Sequence, residues 1–348
     1  MTRALLGELK MTVLPEAELA KSFQRDIDSI ATSLIEHYSL KFQQDIDHLS
    51  SPLMRWLDFR FRYVDPFPRE VVYSNKFPKT ELNAEASSAL QKLEESVKTG
   101  TDINPYQGRG LILRNDSSGE RKDARTDLLW ADWGIHHFHL SNEPIPSHQY
   151  FSKPADFLVF CLVCGNVVAI IDVLPHPNRE GFANPTLIET VFENWPDYMA
   201  QFRLNGILPD GHKSQQEIHA LRSNGVNASL SFKGSAYLSP GLGVSSASTP
   251  MKLVMVHDRL QAHVRDLARL VSDVNSQFRT PEITALDSPS FSLARTANGL
   301  AIYEKNTKQA FLLPESEVGK PAGLLQIIHD LVLPRWACQS LDAHSGTV

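Results

Sequence analysis

Two runs of aliphatic and β-branched residues, Asp156–Val163 and Val167–Leu174, face each other across Cys164-Gly165-Asn166. Such runs around a Gly-Asn turn predict a β-hairpin, and a lone hairpin is not stable in water. It needs a further strand and a layer of helix to cover it. Ile135–Leu140 supplies the strand upstream. Downstream, Leu187, Ile188, Val191, Phe192 and Trp195 recur at helical spacing and stop at Pro196. The expected fold class is α+β, with a central antiparallel β-meander packed with helices.

The upstream strand lies in Arg121–Asn142, RKDARTDLLWADWGIHHFHLSN, which gathers Asp127, Asp132, His136, His137 and His139. Thr126–Trp133 reads as a short amphipathic helix and Gly134 as its breaker. Alternation in the strand puts Ile135, His137 and His139 on one face, and His136, Phe138 and Leu140 on the other. His176 follows the third strand and is held between Pro175 and Pro177.

The flanks are mixed. Leu19, Phe23, Ile27, Ile30, Leu34, Tyr38 and Phe42 predict a helix within Glu16–Leu49. In LMRWLDFRFRYV, the arginines Arg55, Arg60 and Arg62 suggest either an aromatic-basic nucleic-acid surface or a helix or strand edge with snorkelling side chains. The second is expected. Val71–Tyr73 predicts a short strand, Lys79–Lys98 a polar helix, and Leu111–Leu113 another short strand. Ser239–Pro250, SPGLGVSSASTP, reads as a flexible linker. Asp258–Phe278 is an amphipathic helix, Ser290–Leu313 three strands, and Leu324–Trp336 a last helix. The expected regions are a helical 1–100, a central α+β domain 101–238, and a C-terminal helix with β-hairpins 251–340.

A net charge of −6 over 348 residues gives no overall attraction to nucleic acid or anionic membrane, although a local patch would suffice. Three cysteines argue against a disulfide framework. Cys161 and Cys164 read as small hydrophobes rather than a redox pair. Glu8 and Lys10 interrupt the apolar N-terminal run, and no stretch reaches the roughly 20 apolar residues of a membrane span. A cytoplasmic protein is expected.

Histidine is the side chain whose ordinary pKa allows it to take and give protons near neutrality. His137, His139 and His176 are therefore candidate acid–base groups for metal-free RNA cleavage. Lys122, Arg125 and Arg179 are candidate phosphate contacts. Acidic neighbours also allow the basic segment Arg109–Arg125 to be a solvated loop. The same histidines, with Glu143, would alternatively hold Zn or Fe. His137-x-His139 and Glu143 resemble the first part of a cupin motif, without its upstream glycine or second half. A third reading is a non-catalytic interaction module whose long helices meet a protein partner or a second copy.

Asp127-Leu128-Leu129, Asp132-Trp133-Gly134-Ile135-His136-His137 and His139-Leu140 resemble a D-LL-DWGIHH-HL stretch of a group of uncharacterised bacterial proteins. Ile171-Asp172, His176 and Asn194-Trp195-Pro196 extend the resemblance over roughly Tyr106–Asp197. The sheet with basic and histidine side chains is also similar in architecture to the RelE-like toxin ribonucleases. The second likeness, one of architecture, implies a bacterial ribonuclease-like enzyme of toxin or phage-defence type. The candidate residues come from the histidine chemistry and not from either likeness: His137, His139 and His176 as catalytic groups, with Asp132, His136 and Asp172 in support and no cofactor.

Overall fold

The computed structural model describes residues 15–42, 51–77, 82–113, 126–178, 180–317 and 319–345. Its helices are α1 (Glu16–His37), α2 (Pro52–Arg62), α3 (Ala84–Thr99), α4 (Gly110–Leu113), α5 (Leu128–Trp133), α6 (Pro185–Asn194), α7 (Pro196–Ala200), α8 (Gln215–Ser223), α9 (Met251–Ser272), α10 (Pro281–Thr284), α11 (Leu324–Val332) and α12 (Arg335–Ser345). Its strands are β1 (Glu70–Tyr73), β2 (Ile135–His139), β3 (Phe157–Val163), β4 (Val167–Pro175), β5 (Arg203–Leu204), β6 (Leu230–Phe232), β7 (Ser235–Tyr237), β8 (Phe291–Thr296), β9 (Gly299–Glu304) and β10 (Gln309–Leu312). This is a mixed α+β fold. Contacts divide the chain into two units, Ile35–Val256 and Met1–Leu34 with His257–Val348.

In Ile35–Val256 the main sheet has the order β1-β4-β3-β2. β2, β3 and β4 run antiparallel, while β1 adds to β4 in parallel, so the sheet is four-stranded and mixed. One face packs Phe138, Val159 and Ile170 against Ala86, Leu90, Leu93 and Val97 of α3. The other packs Ile135, Leu158 and Phe160 with Leu187, Ile188 and Val191 of α6 and Leu129 and Trp133 of α5. Burial on both faces explains why β3, FLVFCLV, is apolar throughout instead of alternating. The register slips between Phe160 and Cys161, which face Asp172 and Ile170, so Ile171 is the extra residue of a bulge. A second small sheet, β5-β7-β6, lies against α6, where Phe192 stacks on Phe232 at 4.4 Å.

Two arginines overturn the expectation of snorkelling side chains. Arg55 and Arg62 of α2 are buried, with Asp58 fully buried between them. Arg55 Nη1 lies 3.5 Å from Asp58 Oδ2, and Arg62 Nη2 donates to the same oxygen. The two guanidinium groups also donate to carbonyls: Arg55 to Lys41 and Ile112, and Arg62 to Gly110 and Leu111. These bonds explain why Gly110–Leu113 is a turn of helix rather than the expected strand. The carbonyls at its open end are claimed by buried cations. Arg60, the third arginine, forms a two-pronged pair with Asp65 at 2.8 and 3.0 Å. Neither buried arginine is available to nucleic acid.

The expected linker is a docked segment. Gly241 N–H donates to the Asp132 carbonyl and Gly243 N–H to the Ala131 carbonyl, at 2.8 and 2.9 Å. A Cβ at Gly241 would lie 2.4 Å from the Ala131 oxygen, so only glycine allows this approach. Of the hairpin cysteines, Cys161 is buried as expected, but Cys164 sits exposed in the turn.

In the other unit, β8, β9 and β10 form an antiparallel sheet in the order β10-β9-β8. Asp26 of α1 accepts from the Leu293 N–H of β8 at 2.9 Å. The apolar stripe of α1 (Leu19, Phe23, Ile27) and that of α9 (Leu260, Val264, Leu267, Val271) are buried within the chain. Helix α1 ends at His37, and α9 ends at Ser272, short of the expected Leu49 and Phe278. Among the described residues, no helix is long and apolar enough to cross a membrane.

Candidate functional site

The site begins with the ends of α5. Asp127 caps the helix, its Oδ1 accepting from the Leu129 and Trp130 N–H groups at 3.1 and 3.2 Å. Gly134, at φ 70°, closes the other end and turns the chain into β2. This tight reversal returns His137 toward the cap. Its Nδ1 lies 3.7 Å from Asp127 Oδ2, close enough to balance charge on the ring.

His137 and His139 share a face of β2, as alternation requires. Across the sheet, His137 opposes Phe160, and Phe160 opposes Asp172; His139 opposes Leu158. The His176 ring stacks on the His139 ring, with centroids 5.5 Å apart and planes 25° apart. Phe182 completes the cluster, 5.1 Å from the His137 ring and edge-on to His176 at 6.2 Å. His139 is buried and His176 is exposed, so the cluster opens to solvent at His176.

Hydrogen bonds assign opposite tautomers to the stacked pair. The Ala155 N–H donates to His139 Nδ1 at 3.1 Å. That nitrogen carries no proton, so neutral His139 holds its proton on Nε2. His176 Nδ1 lies 3.0 Å from the Pro177 carbonyl, which can only accept. Its proton is therefore on Nδ1, and Nε2 presents a lone pair. Close to His139 Nε2 is Gly108, where an added Cβ would come within 3.9 Å. Arg109, next in the chain, is exposed.

The other expected residues sit differently. His136 faces the α3 layer beside Phe138 and does not join the cluster. Asp172 is fully buried on the His137–Phe160 row, its Oδ1 accepting from the Val173 N–H. Asp132 points away and pairs with Arg222 at 2.7 Å. Glu143 is half exposed in a loop and pairs with Lys153 at 2.5 Å. Among the described residues no three His, Cys, Asp or Glu side chains assemble as a metal site, so the set His137, His139, His176 and Glu143 is not gathered as ligands. Lys122, Arg125 and Arg179 lie outside the described residues. Phe182, Gly108 and Arg222 were not marked by the sequence, because nothing local distinguishes them.

Burial pushes the His136 ring down to about 3. Burial, then the neighbouring His137 and His176, pushes His139 down to about 4. Both lie below the ordinary 6.5, so on acidification the unfolded chain binds protons that the folded chain refuses. Stability should be fully present above about pH 6.5 and fall as pH drops toward 4, by up to about 1.4 kcal/mol per pH unit for each ring. Urea unfolding at a series of pH values reads this slope. His136→Phe should flatten it, and an unchanged slope in that variant would contradict a buried neutral His136.

Fold and site together define an α+β protein with a histidine cluster at one end of a mixed sheet. Compared with family models, curated proteins and solved structures, the chain finds no match.

Proposed function

We propose that this chain is a ribonuclease-like enzyme that cleaves RNA by general acid–base chemistry at His137, His139 and His176. The observation that carries the reading is the stacked pair with opposite tautomers. A hydrogen-bond donor and a proton acceptor stand side by side at an open sheet end. His176 Nε2 takes the 2′-hydroxyl proton as the 2′-oxygen attacks phosphorus. His139 Nε2–H, uncharged, donates to a non-bridging oxygen as negative charge builds there. His137, backed by the Asp127 carboxylate, gives its proton to the departing 5′-oxygen. The P–O5′ bond breaks, leaving a 2′,3′-cyclic phosphate and a free 5′-hydroxyl.

The cations for the phosphate would come from Lys122, Arg125 and Arg179, with Arg109 beside Gly108. A toxin or phage-defence role would follow from the architectural likeness to the RelE-like toxin ribonucleases. The test is incubation of purified protein with total RNA, with and without EDTA. Cleavage that survives EDTA and leaves cyclic phosphate ends is the expected result. Cleavage abolished by EDTA would move the reading to a Zn- or Fe-dependent enzyme, and no cleavage at all would refute the ribonuclease reading.

A further inference from the structure

The chain between β2 and β3 is pinned beside the histidine cluster. Pro144, Pro146 and Pro154 each fix a backbone angle in it. The Ala155 N–H donates to His139 Nδ1 at 3.1 Å, and the Ser152 N–H donates to the Pro105 carbonyl at 2.8 Å. Farther out, the Tyr150 hydroxyl donates to Asp102 Oδ2 at 2.8 Å. Asp102 is itself held, because Oδ1 accepts from the backbone and side-chain N–H groups of Asn104 at 2.9 and 2.6 Å. Asn104 is fully buried. Residues 102–108 and 150–155 are thus tied together, and both reach His139: Ala155 at Nδ1, Gly108 near Nε2.

Tyr150 is 44% exposed although its hydroxyl is engaged. A phenol tied back by its oxygen offers its ring to solvent rather than its polar tip. The Phe151 ring stands edge-on to it, with centroids 5.0 Å apart and planes at 86°, which restrains its orientation. Tyr150 lies five residues from Ala155, so the chain spans at most about 18 Å between that ring's backbone and the His139 contact. An oriented, exposed aromatic ring therefore stands close to the histidines and takes no part in their proton transfers.

We propose that Tyr150 is a stacking platform for a nucleobase of single-stranded RNA whose phosphate lies at the histidines. The inference rests on the ribonuclease reading of that cluster. Every base has a π face, so the platform positions the strand without selecting its sequence. The ring is already restrained, so little side-chain freedom is lost when a base settles on it. Tyr150 is a binding residue, and its loss acts on affinity rather than on the chemical step.

The test measures binding and cleavage separately on the full-length protein. Fluorescence anisotropy follows a labelled oligodeoxyuridylate, which lacks the attacking 2′-hydroxyl, and an abasic strand of the same length and charge. Wild type should bind the base-bearing strand about tenfold more tightly than the abasic one. Tyr150→Ala should bind both alike, whereas Tyr150→Phe, which keeps the ring, should retain most of the difference; circular dichroism checks that both variants are folded. On cleavable RNA, Tyr150→Ala should raise KM about tenfold with kcat unchanged. Equal binding of the two strands by wild type, or a full base preference in folded Tyr150→Ala, would overturn the platform while leaving RNA cleavage by the histidines intact. A base preference lost in Tyr150→Ala, from a protein that cleaves no RNA, would support the platform and remove the ribonuclease reading.

Discussion

Replacing His176 by alanine is expected to slow RNA cleavage by about 10²–10⁴-fold, the usual contribution of a positioned base. The informative companion is His139, whose role follows from its tautomer. Its Nδ1 is occupied by the Ala155 N–H, and its ring is uncharged near neutrality because burial pushes it down to about 4. In the proposed reaction it would act as a fixed hydrogen-bond donor, and removing such a donor costs about 10²–10³-fold. His139→Gln retains an N–H donor and should recover part of the rate lost in His139→Ala. His176→Gln should recover nothing, since an amide is no base. Initial rates on a dinucleotide substrate measure all four variants. Equal loss in His139→Gln and His139→Ala would mean that His139 moves a proton instead.

The largest stability effect is expected at Asp58, far from the histidines. Its carboxylate is fully buried between Arg55 and Arg62. Asp58→Ala removes the carboxylate that both buried guanidinium groups contact, and breaking such a buried pair costs about 3–5 kcal/mol. Urea titration followed by far-UV circular dichroism should show the midpoint fall accordingly. The arginines still hold the Gly110, Leu111 and Ile112 carbonyls, so part of the arrangement survives. A loss below about 1 kcal/mol, the range of an exposed pair, would show that the charges are solvated after all.

The hairpin and the histidine strand were legible because their signals are local. A period of two assigns His137 and His139 to one face whatever lies around them, and Gly134 marks the turn that brings Asp127 near. The residues that complete the site were not legible. Phe182 and Gly108 reach the histidines from other segments, and neither belongs to a pattern. Charge misled in α2, where basic residues between aromatics read as surface. Asp58 sits one turn from each arginine, a spacing equally at home on an exposed helix. Composition misled at Ser239–Pro250, whose glycines and serines suggest flexibility. Gly241 is small there so that the backbone can touch the Ala131 carbonyl.

That contact bears on how the chain reaches its working form. The α5–β2 unit that carries Asp127, His137 and His139 is assembled from neighbours in sequence. Its fastening comes from afar: Arg222 closes onto Asp132 across 90 residues, and Gly241 and Gly243 close onto Asp132 and Ala131 from farther still. Bringing such distant segments together carries a larger entropic cost than closing the local hairpin, and contacts of this kind slow folding. The histidines are thus expected to find their strand early in folding, while the frame that holds them at a fixed distance closes late.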